Sequence, residues 1–372
     1  MSTIVLMAGG TGGHLFPAMA LAQELRRRGH VLHLMTDERV SGYGDNFPAR
    51  EIHIVPSATP SIRNPVKLAA AAATLAWGTG VALGALGRIR PDAMVGFGGY
   101  PTVPPFLAGR LRGVPGVVHD ANAVLGRANL LLARYANALA LGFENTARAA
   151  AFAAKTTVTG NPVRDRVRAL AGTPYAAPTA GGPLKLLVTG GSQGARVFAD
   201  LLPPAIALLP EELRFRLTLT QQTRPEDLDR VAEAYRQAKV NVELQSFFTD
   251  LPERMADSHL VISRSGASTV TELCVIGRPA VLIPLPGAID ADQKNNALVL
   301  ERAGGGWIAE QAGLSPQILA EKLQSLLNVP DRLAKAAEAA KSLGRPDAVA
   351  LLADLTEKLA NGRNNGSRSE AK

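Results

Sequence analysis

Met7-Ala8-Gly9-Gly10-Thr11-Gly12-Gly13-His14 follows the apolar run Ile4-Val5-Leu6 and precedes an amphipathic run from Pro17 to Arg28. That order reads as a strand, a glycine turn and a helix. Four glycines in five residues let the backbone bend tightly and approach a ligand with no Cβ in the way. The helix behind the turn aims unpaired N–H groups back at it, a favourable place for an anion. Taken alone, such a turn is as readily a plain strand-to-helix connection. Half a chain later the pattern recurs. Leu184 to Thr189 reads as a strand, Gly190-Gly191-Ser192-Gln193-Gly194-Ala195-Arg196 as a second glycine turn, and Leu201 to Leu209 as part of a helix.

Working outward, both halves alternate strands and helices. In the first half, strands are expected at Val31–Thr36, Glu51–Val55, Ala93–Val95, Val117–His119, Ala138–Leu141 and Thr156–Thr159. In the second they are expected at Arg216–Thr220, Val240–Leu244, Leu260–Ser263 and Ala280–Ile283. Such alternation predicts parallel sheets covered on both faces, so the fold expected is two doubly wound, Rossmann-like α/β domains in tandem. Ligands then bind beyond the carboxyl ends of the strands. The turns at 9–13 and 96–100 and the polar cluster at 119–122 all follow strands and should converge. Between the halves, 172–183 is rich in Pro, Gly, Ala and Thr, as linkers are. The polar, Gly/Asn/Ser-rich stretch from Asn361 onward reads as a disordered tail.

At 372 residues, 47% of them hydrophobic, the chain can bury two cores. A formal charge of +8, from 40 basic and 32 acidic residues, suits an anionic partner. Aromatics at 5% are few for a protein that stacks bases along a strand, and no nucleic acid partner is expected. The single Cys274 excludes an intrachain disulfide and a Cys-cluster metal site, and fits a reducing compartment. No signal peptide is evident. Leu68 to Gly87 is uncharged and long enough to span a bilayer, but it is dominated by alanine and glycine, which supply little drive for insertion. It reads as a helix partly buried against the core. With Arg63 and Lys67 before it and Arg88 and Arg90 after it, it could also rest on an anionic bilayer.

Several residues carry candidate chemistry. Arg264-Ser265-Gly266 follows a strand and opens a helix, offering N–H groups, a hydroxyl and a guanidinium to a diphosphate. Glu272, two turns on, can take two ribose hydroxyls or be a surface carboxylate. Ser268 and Thr269 can equally cap the helix. Gln293 is an amide able to bond sugar hydroxyls. His14 and Asp120 are the acid/base candidates of the first half. No metal ligand set is legible, and no cofactor is expected.

In order along the chain stand Gly9-Gly10-Thr11-Gly12-Gly13-His14, Gly96-Phe97-Gly98-Gly99-Tyr100, His119-Asp120-Ala121-Asn122, Gly160-Asn161-Pro162-Val163-Arg164, Gly190-Gly191-Ser192-Gln193-Gly194-Ala195 and Arg264-Ser265-Gly266-Ala267 with Glu272. This set resembles the MurG family, which transfers N-acetylglucosamine to undecaprenyl-diphosphate-linked muramoyl-pentapeptide, turning lipid I into lipid II. The resemblance covers the chain to about residue 360. It implies a GT-B glycosyltransferase whose two domains face a cleft. Residues 1–163 would form the acceptor and membrane side, and 164–345 the UDP-N-acetylglucosamine side. A helix at 346–360 would pack back on the first domain, and 361–372 would be the tail.

Carried over by position, Thr11, Gly12 and Gly13 lie near the donor sugar and acceptor diphosphate, and Asn122 and Arg164 reach the donor. Ser192 faces the sugar and diphosphate, and Phe248 marks a main-chain contact to uracil. Glu272 matches the ribose carboxylate and Gln293 a sugar-binding glutamine. The acceptor 4-hydroxyl would attack the anomeric carbon with inversion while His14 or Asp120 takes its proton, through an oxocarbenium-like transition state. Where the family usually has His-Glu-Gln-Asn, this chain has His119-Asp120-Ala121-Asn122, and Asp292-Gln293 stands where two polar amide or imidazole side chains are common. The resemblance also implies a peripheral enzyme at the cytoplasmic face of the bacterial inner membrane, without a transmembrane span. Its setting would be cell-wall synthesis, shape and division, with other cell-wall synthesis proteins as partners.

Three other readings stay open. A dinucleotide-dependent oxidoreductase would use Asp37 at the end of the second strand, although the first turn lacks the third glycine of G-x-G-x-x-G. A UDP-sugar epimerase would release free N-acetylmannosamine. A non-catalytic membrane-associated protein would bind lipid without releasing UDP.

Overall fold

The computed structural model describes residues 1–9, 12–40, 47–61, 64–191, 194–288 and 290–369, with side chains through 363. The chain divides into two compact units, Met1–Arg164 with Pro346–Lys372, and Asp165–Arg345.

The first unit runs β1 (Thr3–Met7), α1 (Gly12–Arg27), β2 (Val31–Thr36), β3 (Glu51–Ile54), α2 (Pro65–Ile89), β4 (Ala93–Gly96), α3 (Val103–Leu111), β5 (Gly116–Asp120), α4 (Arg127–Leu132), β6 (Ala138–Leu141) and β7 (Thr156–Val158). Its seven strands pair in parallel in the order β3-β2-β1-β4-β5-β6-β7. The order reverses between β1 and β4, the switch point where doubly wound sheets bind ligands. Strands β4, β5 and β6 are buried at every residue, as strands covered on both faces must be. One face packs Val5, Met7, Met35, Leu86 and Phe106, and the other Ile4, Leu6, Leu21, Leu34 and Leu352.

The second unit runs α5 (Asp165–Ala169), β8 (Leu184–Thr189), α6 (Arg196–Ala207), α7 (Glu211–Arg216), β9 (Leu217–Gln222), α8 (Leu228–Gln237), β10 (Asn241–Gln245), α9 (Leu251–Asp257), β11 (Leu260–Ser263), α10 (Ala267–Ile276), β12 (Ala280–Leu282), α11 (Asp292–Arg302), β13 (Gly306–Ile308), α12 (Pro316–Leu327) and α13 (Pro330–Ser342). Six parallel strands pair in the order β10-β9-β8-β11-β12-β13, with the switch between β8 and β11. Local chemistry sets several helix ends. Asn64 accepts a bond from the Lys67 N–H and Pro65 takes the first helical position of α2. Ser315 caps α12 in the same way. Gly277, with φ 73°, ends α10.

Two expectations need correction. The first helix opens at Gly12, not Pro17, so Gly12, Gly13 and His14 form its first turn and Pro17 sits inside it. Proline costs little there, because the only bond it forgoes is to the Gly13 carbonyl at the exposed helix start. At the other end, α14 (Ala348–Ser369) continues through the stretch read as a tail. Ala360 is fully buried, and the guanidinium of Arg363 donates to the Pro91 carbonyl. Polar composition conceals such an anchor, since it needs a carbonyl and no apolar side chain.

Helix α14 packs on α1 and on β4 and β5. Leu352 and Ala353 join the core, Arg28 pairs with Glu357 at 2.8 Å, and His30 Nε2 lies 2.7 Å from Glu357. Leu352→Ala is expected to destabilise the first unit by about 2–5 kcal/mol, the cost of a leucine-sized cavity. Chemical denaturation would measure it, and a change below about 1 kcal/mol would mean that α14 is not part of this core.

Candidate active site

In the first unit, β1, β4 and β5 are neighbours, so the segments after them stand side by side at the carboxyl edge of the sheet. The structure thus brings together the glycine turns and the polar cluster expected to converge. A methyl group on Gly98 would stand 3.3 Å from Cδ2 of His14 and 3.0 Å from Nδ2 of Asn129, and one on Gly9 would stand 3.4 Å from Nδ1 of His14. Gly98 also has φ 94°, so both its conformation and its neighbours require glycine. Thr102 Oγ1 donates to the Gly98 carbonyl at 2.7 Å and holds this turn in place. His14 is half-buried beside it, and Gly13 is exposed. Thr11 lies outside the described residues.

Asp120 ends β5 and is 2% exposed. Its Oδ1 accepts from the Asn122 N–H at 3.0 Å, and its Oδ2 accepts from the Gly126 N–H at 2.8 Å and from Asn129 Nδ2 at 3.0 Å. Burial raises its pKa above the usual carboxylate value, against the pull of these donors. The carboxylate therefore staples the 120–129 loop together. His119 beside it is fully buried, and its Nε2 donates to the Gly160 carbonyl at 3.2 Å. Burial pushes its pKa down to about 4. This bond ties β5 to Gly160-Asn161-Pro162-Val163-Arg164. The Arg164 guanidinium lies 5.0 Å over the ring of Phe16, in α1, so Arg164 stands beside the first glycine turn. Asp37, the residue an oxidoreductase would need, is paired with Arg39, whose Nε donates to it at 2.9 Å.

In the second unit, Gln222 at the end of β9 organises the turn after β8. Its Oε1 accepts from Thr189 Oγ1 at 2.9 Å and from the Gly190 N–H at 3.2 Å, and its Nε2 donates to the Ser246 carbonyl at 3.2 Å. Gly191 and Gly194 take φ 80° and 65°. Ser192 lies outside the described residues. Phe248 is buried under the Arg254 guanidinium, 4.5 Å from its ring.

Beyond β11, no side chain caps the start of α10 at Gly266, which leaves its first N–H groups available to an anion. The Ser265 hydroxyl is fully buried there and has no hydrogen-bond partner among the described residues, and the same holds for the Ser268 hydroxyl atom. Asn296 Nδ2 holds the Ser265 carbonyl at 3.1 Å. Glu272 is 9% exposed on the second turn of α10. Gln293 Oε1, in the first turn of α11, accepts from the Leu285 N–H at 3.0 Å.

The guanidinium of Arg264 departs from expectation. It turns inward, donating to the carbonyls of Ile283 at 2.9 Å and Pro284 at 3.0 Å and to Gln311 Oε1 at 2.7 Å. Burial lowers its pKa. A guanidinium folded onto carbonyls braces the turn, and the main chain of 264–266 is what remains to meet an anion. Sequence reading missed Gln222, Asn129, Asn296 and Gln311. Each works through partners that the fold alone brings close, and no local motif marks them.

Two doubly wound sheets, each with a glycine turn at its switch point, and an uncapped helix start in the second define a two-domain α/β protein built to hold anionic ligands beyond its strands. Models of the glycosyltransferase family 28 N-terminal and C-terminal domains match residues 4–141 and 185–352. The chain is 53% identical over 97% of its length, and 96% of the relative's, to the UDP-N-acetylglucosamine--N-acetylmuramyl-(pentapeptide) pyrophosphoryl-undecaprenol N-acetylglucosamine transferase of Chelativorans sp. (strain BNC1). It is also 53% identical to the protein of that name in Mesorhizobium japonicum, over 96% of its own length and 95% of the relative's. Among solved structures it resembles MurG of Acinetobacter baumannii, with TM-score 0.78 and 30% identity over 96% of this chain and 100% of that one. The chain belongs to glycosyltransferase family 28, with the MurG transferases.

Proposed function

We infer that this enzyme transfers N-acetylglucosamine from UDP-N-acetylglucosamine to the 4-hydroxyl of the muramoyl sugar of undecaprenyl-diphospho-muramoyl-pentapeptide, making lipid II. The observation that carries this is half-identity over almost the whole chain to relatives of that name. The geometry supports roles for particular residues. The open start of α10, with the buried Ser265 hydroxyl, suits the donor diphosphate. Glu272 would take the ribose hydroxyls, the main chain at Phe248 the uracil, and Gln293 and Ser192 the sugar. On the first unit, Thr11, Gly12, Gly13, Asn122 and Arg164 would border the acceptor and the transferred sugar.

In the reaction, the acceptor oxygen forms a bond to the anomeric carbon as the bond to the UDP oxygen breaks, and configuration inverts. The electron pair leaves on the β-phosphate, where the helix start favours the added charge. The hydroxyl proton passes to His14 and then to solvent. His14 is favoured over Asp120 because it is half-buried at a glycine turn, whereas both carboxylate oxygens of Asp120 already accept bonds within their own loop. Asp120 would act as a positioning residue. Coupled UDP release tests the reading. Release is expected only with a polyprenyl-diphospho-muramoyl acceptor, and free N-acetylmannosamine without acceptor would instead mark an epimerase.

The acceptor is a lipid, and α2 supplies a surface for its membrane. Among the described residues it is the one helix long and apolar enough to cross a bilayer, yet 22% of its most apolar window is buried. Ala82, Ala85 and Leu86 face the core, while Trp77 is 68% exposed and Val66 76%, with Leu111 of α3 also exposed. Basic Lys67, Arg88 and Arg90 flank the helix. One side packed and one bare fits a helix resting on an anionic surface rather than crossing it. Trp77→Glu is expected to weaken sedimentation with phosphatidylglycerol vesicles at least about tenfold while leaving the unfolding midpoint unchanged. Unchanged sedimentation would remove α2 from the membrane contact.

A further inference from the structure

We propose that His33, His53 and Glu51 form a binding site for a divalent transition-metal ion, zinc by preference, on the edge of the first sheet.

The three residues stand together for a simple reason of register. His33 on β2 pairs with Glu51 on β3, and Met35 pairs with His53. Residues two apart on a strand share a face, so all three side chains emerge on the side of Val5 and Met35, the side covered by α2. His33 Nδ1 lies 3.1 Å from His53 Nε2, and Glu51 Oε2 lies 3.6 Å from the same nitrogen. One ligand atom from each lies within 4.8 Å of the other two. Two imidazole nitrogens on one tetrahedral zinc stand about 3.3 Å apart, given Zn–N bonds near 2.0–2.1 Å. The observed N···N spacing is close to that value, and the ion would replace the proton now shared between the two nitrogens.

The donor chemistry also fits. Two imidazoles and one carboxylate suit zinc or its first-row neighbours, and leave a fourth position for water. A ligating imidazole must be neutral, and burial holds the pKa of both histidines below the ordinary value. The Glu51 side chain is 63% exposed against 12% for His53, so an ion can enter from solvent and the carboxylate can close onto it. Two cations oppose binding: Arg50 acts on His33, and Arg88, in the last turn of α2, acts on His53. The site is therefore expected to be weaker than a three-histidine one. His33 and Glu51 stand eighteen positions apart in sequence, which is why no motif announced them. Bound metal would pin the edge strand β3 to β2, protecting an edge that carries no further strand among the described residues.

The test uses the full chain, stripped with chelator and then titrated with zinc chloride at pH 7.5. Expected are one zinc per chain by calorimetry and a rise in unfolding midpoint of about 5 °C at saturating zinc. Cobalt(II) should give visible bands of a four-coordinate centre. His53→Ala should weaken zinc affinity at least about 100-fold, and Glu51→Gln about tenfold. Glu51 is exposed, so its variant should fold even if His53→Ala does not. Binding that neither variant weakens, or no stoichiometric binding to the parent chain, would overturn the proposal. The cluster would then be an imidazole–imidazole hydrogen bond alone.

Discussion

His14→Ala is expected to lower kcat by about 10²–10⁴-fold, the usual worth of a positioned general base, while KM for UDP-N-acetylglucosamine changes little. The imidazole lies against the backbone of Gly9, Gly98 and Gly99, beyond the carboxyl ends of β1 and β4. It forms part of the first turn of α1, so its loss removes a reactive group without opening a core cavity. Asp120→Asn is the counterpart. It keeps the shape and changes only what the oxygens and nitrogen can accept or donate. With the N–H groups of Asn122 and Gly126 and the amide of Asn129 all pointing at that site, the amide leaves at least one of them facing a donor, at a cost of about 1–3 kcal/mol. The variant should therefore show a lowered unfolding midpoint with a smaller fall in kcat than His14→Ala. If His14→Ala keeps near-normal turnover and Asp120→Asn abolishes it in a folded protein, the roles are the reverse of those proposed.

The second large effect is acid destabilisation of the first unit through His119. The folded protein holds this imidazole neutral with a pKa of about 4, against an ordinary 6.5, because it is fully buried. A depressed folded-state value means that the unfolded chain takes up the proton first. The stabilisation is present above about pH 6.5 and is lost as pH falls toward 4, a difference of about 3 kcal/mol. His33 and His53, in the same unit, are shifted the same way by burial and add to it. Asp120 runs oppositely: its raised pKa favours the folded state at low pH and is a cost as pH rises through that value. Urea unfolding at pH 7 and pH 4.5 should show the loss, and His119→Gln, which can still donate to the Gly160 carbonyl, should flatten it. An unchanged slope in His119→Gln would mean that another group carries the acid sensitivity.

How much of this could be read in the residues differs from element to element. The parallel strands were legible because strands buried on both faces are continuous apolar runs bounded by glycine and proline, as at Ala138–Leu141. The glycine turns were legible because close approach to another chain segment excludes a Cβ, which Gly98 shows against Asn129 and His14. The family and its reaction were legible from the order of six motifs. The first helix was misplaced by five residues because Pro17 signals a helix start equally well when it lies one turn inside. The direction of the Arg264 guanidinium was not legible, because a guanidinium beside a diphosphate turn looks the same in sequence whether it faces out or folds onto Ile283 and Pro284.

Sequence by itself thus determined the strand and turn pattern, the two-domain α/β class and the chemical types at the site, since these depend on local conformational limits and on apolar periodicity. Tertiary structure alone decided which polar groups are used up. It made Asp120 a staple by surrounding it with three donors, gave Gln222 charge of a turn 32 residues earlier, carried α14 back to the first unit, and placed His33 beside Glu51 and His53. The physical reason is the same throughout: hydrogen-bond partners and strand register are set by packing between distant segments, and a residue's type states what it can bond, while only its neighbours settle what it does bond.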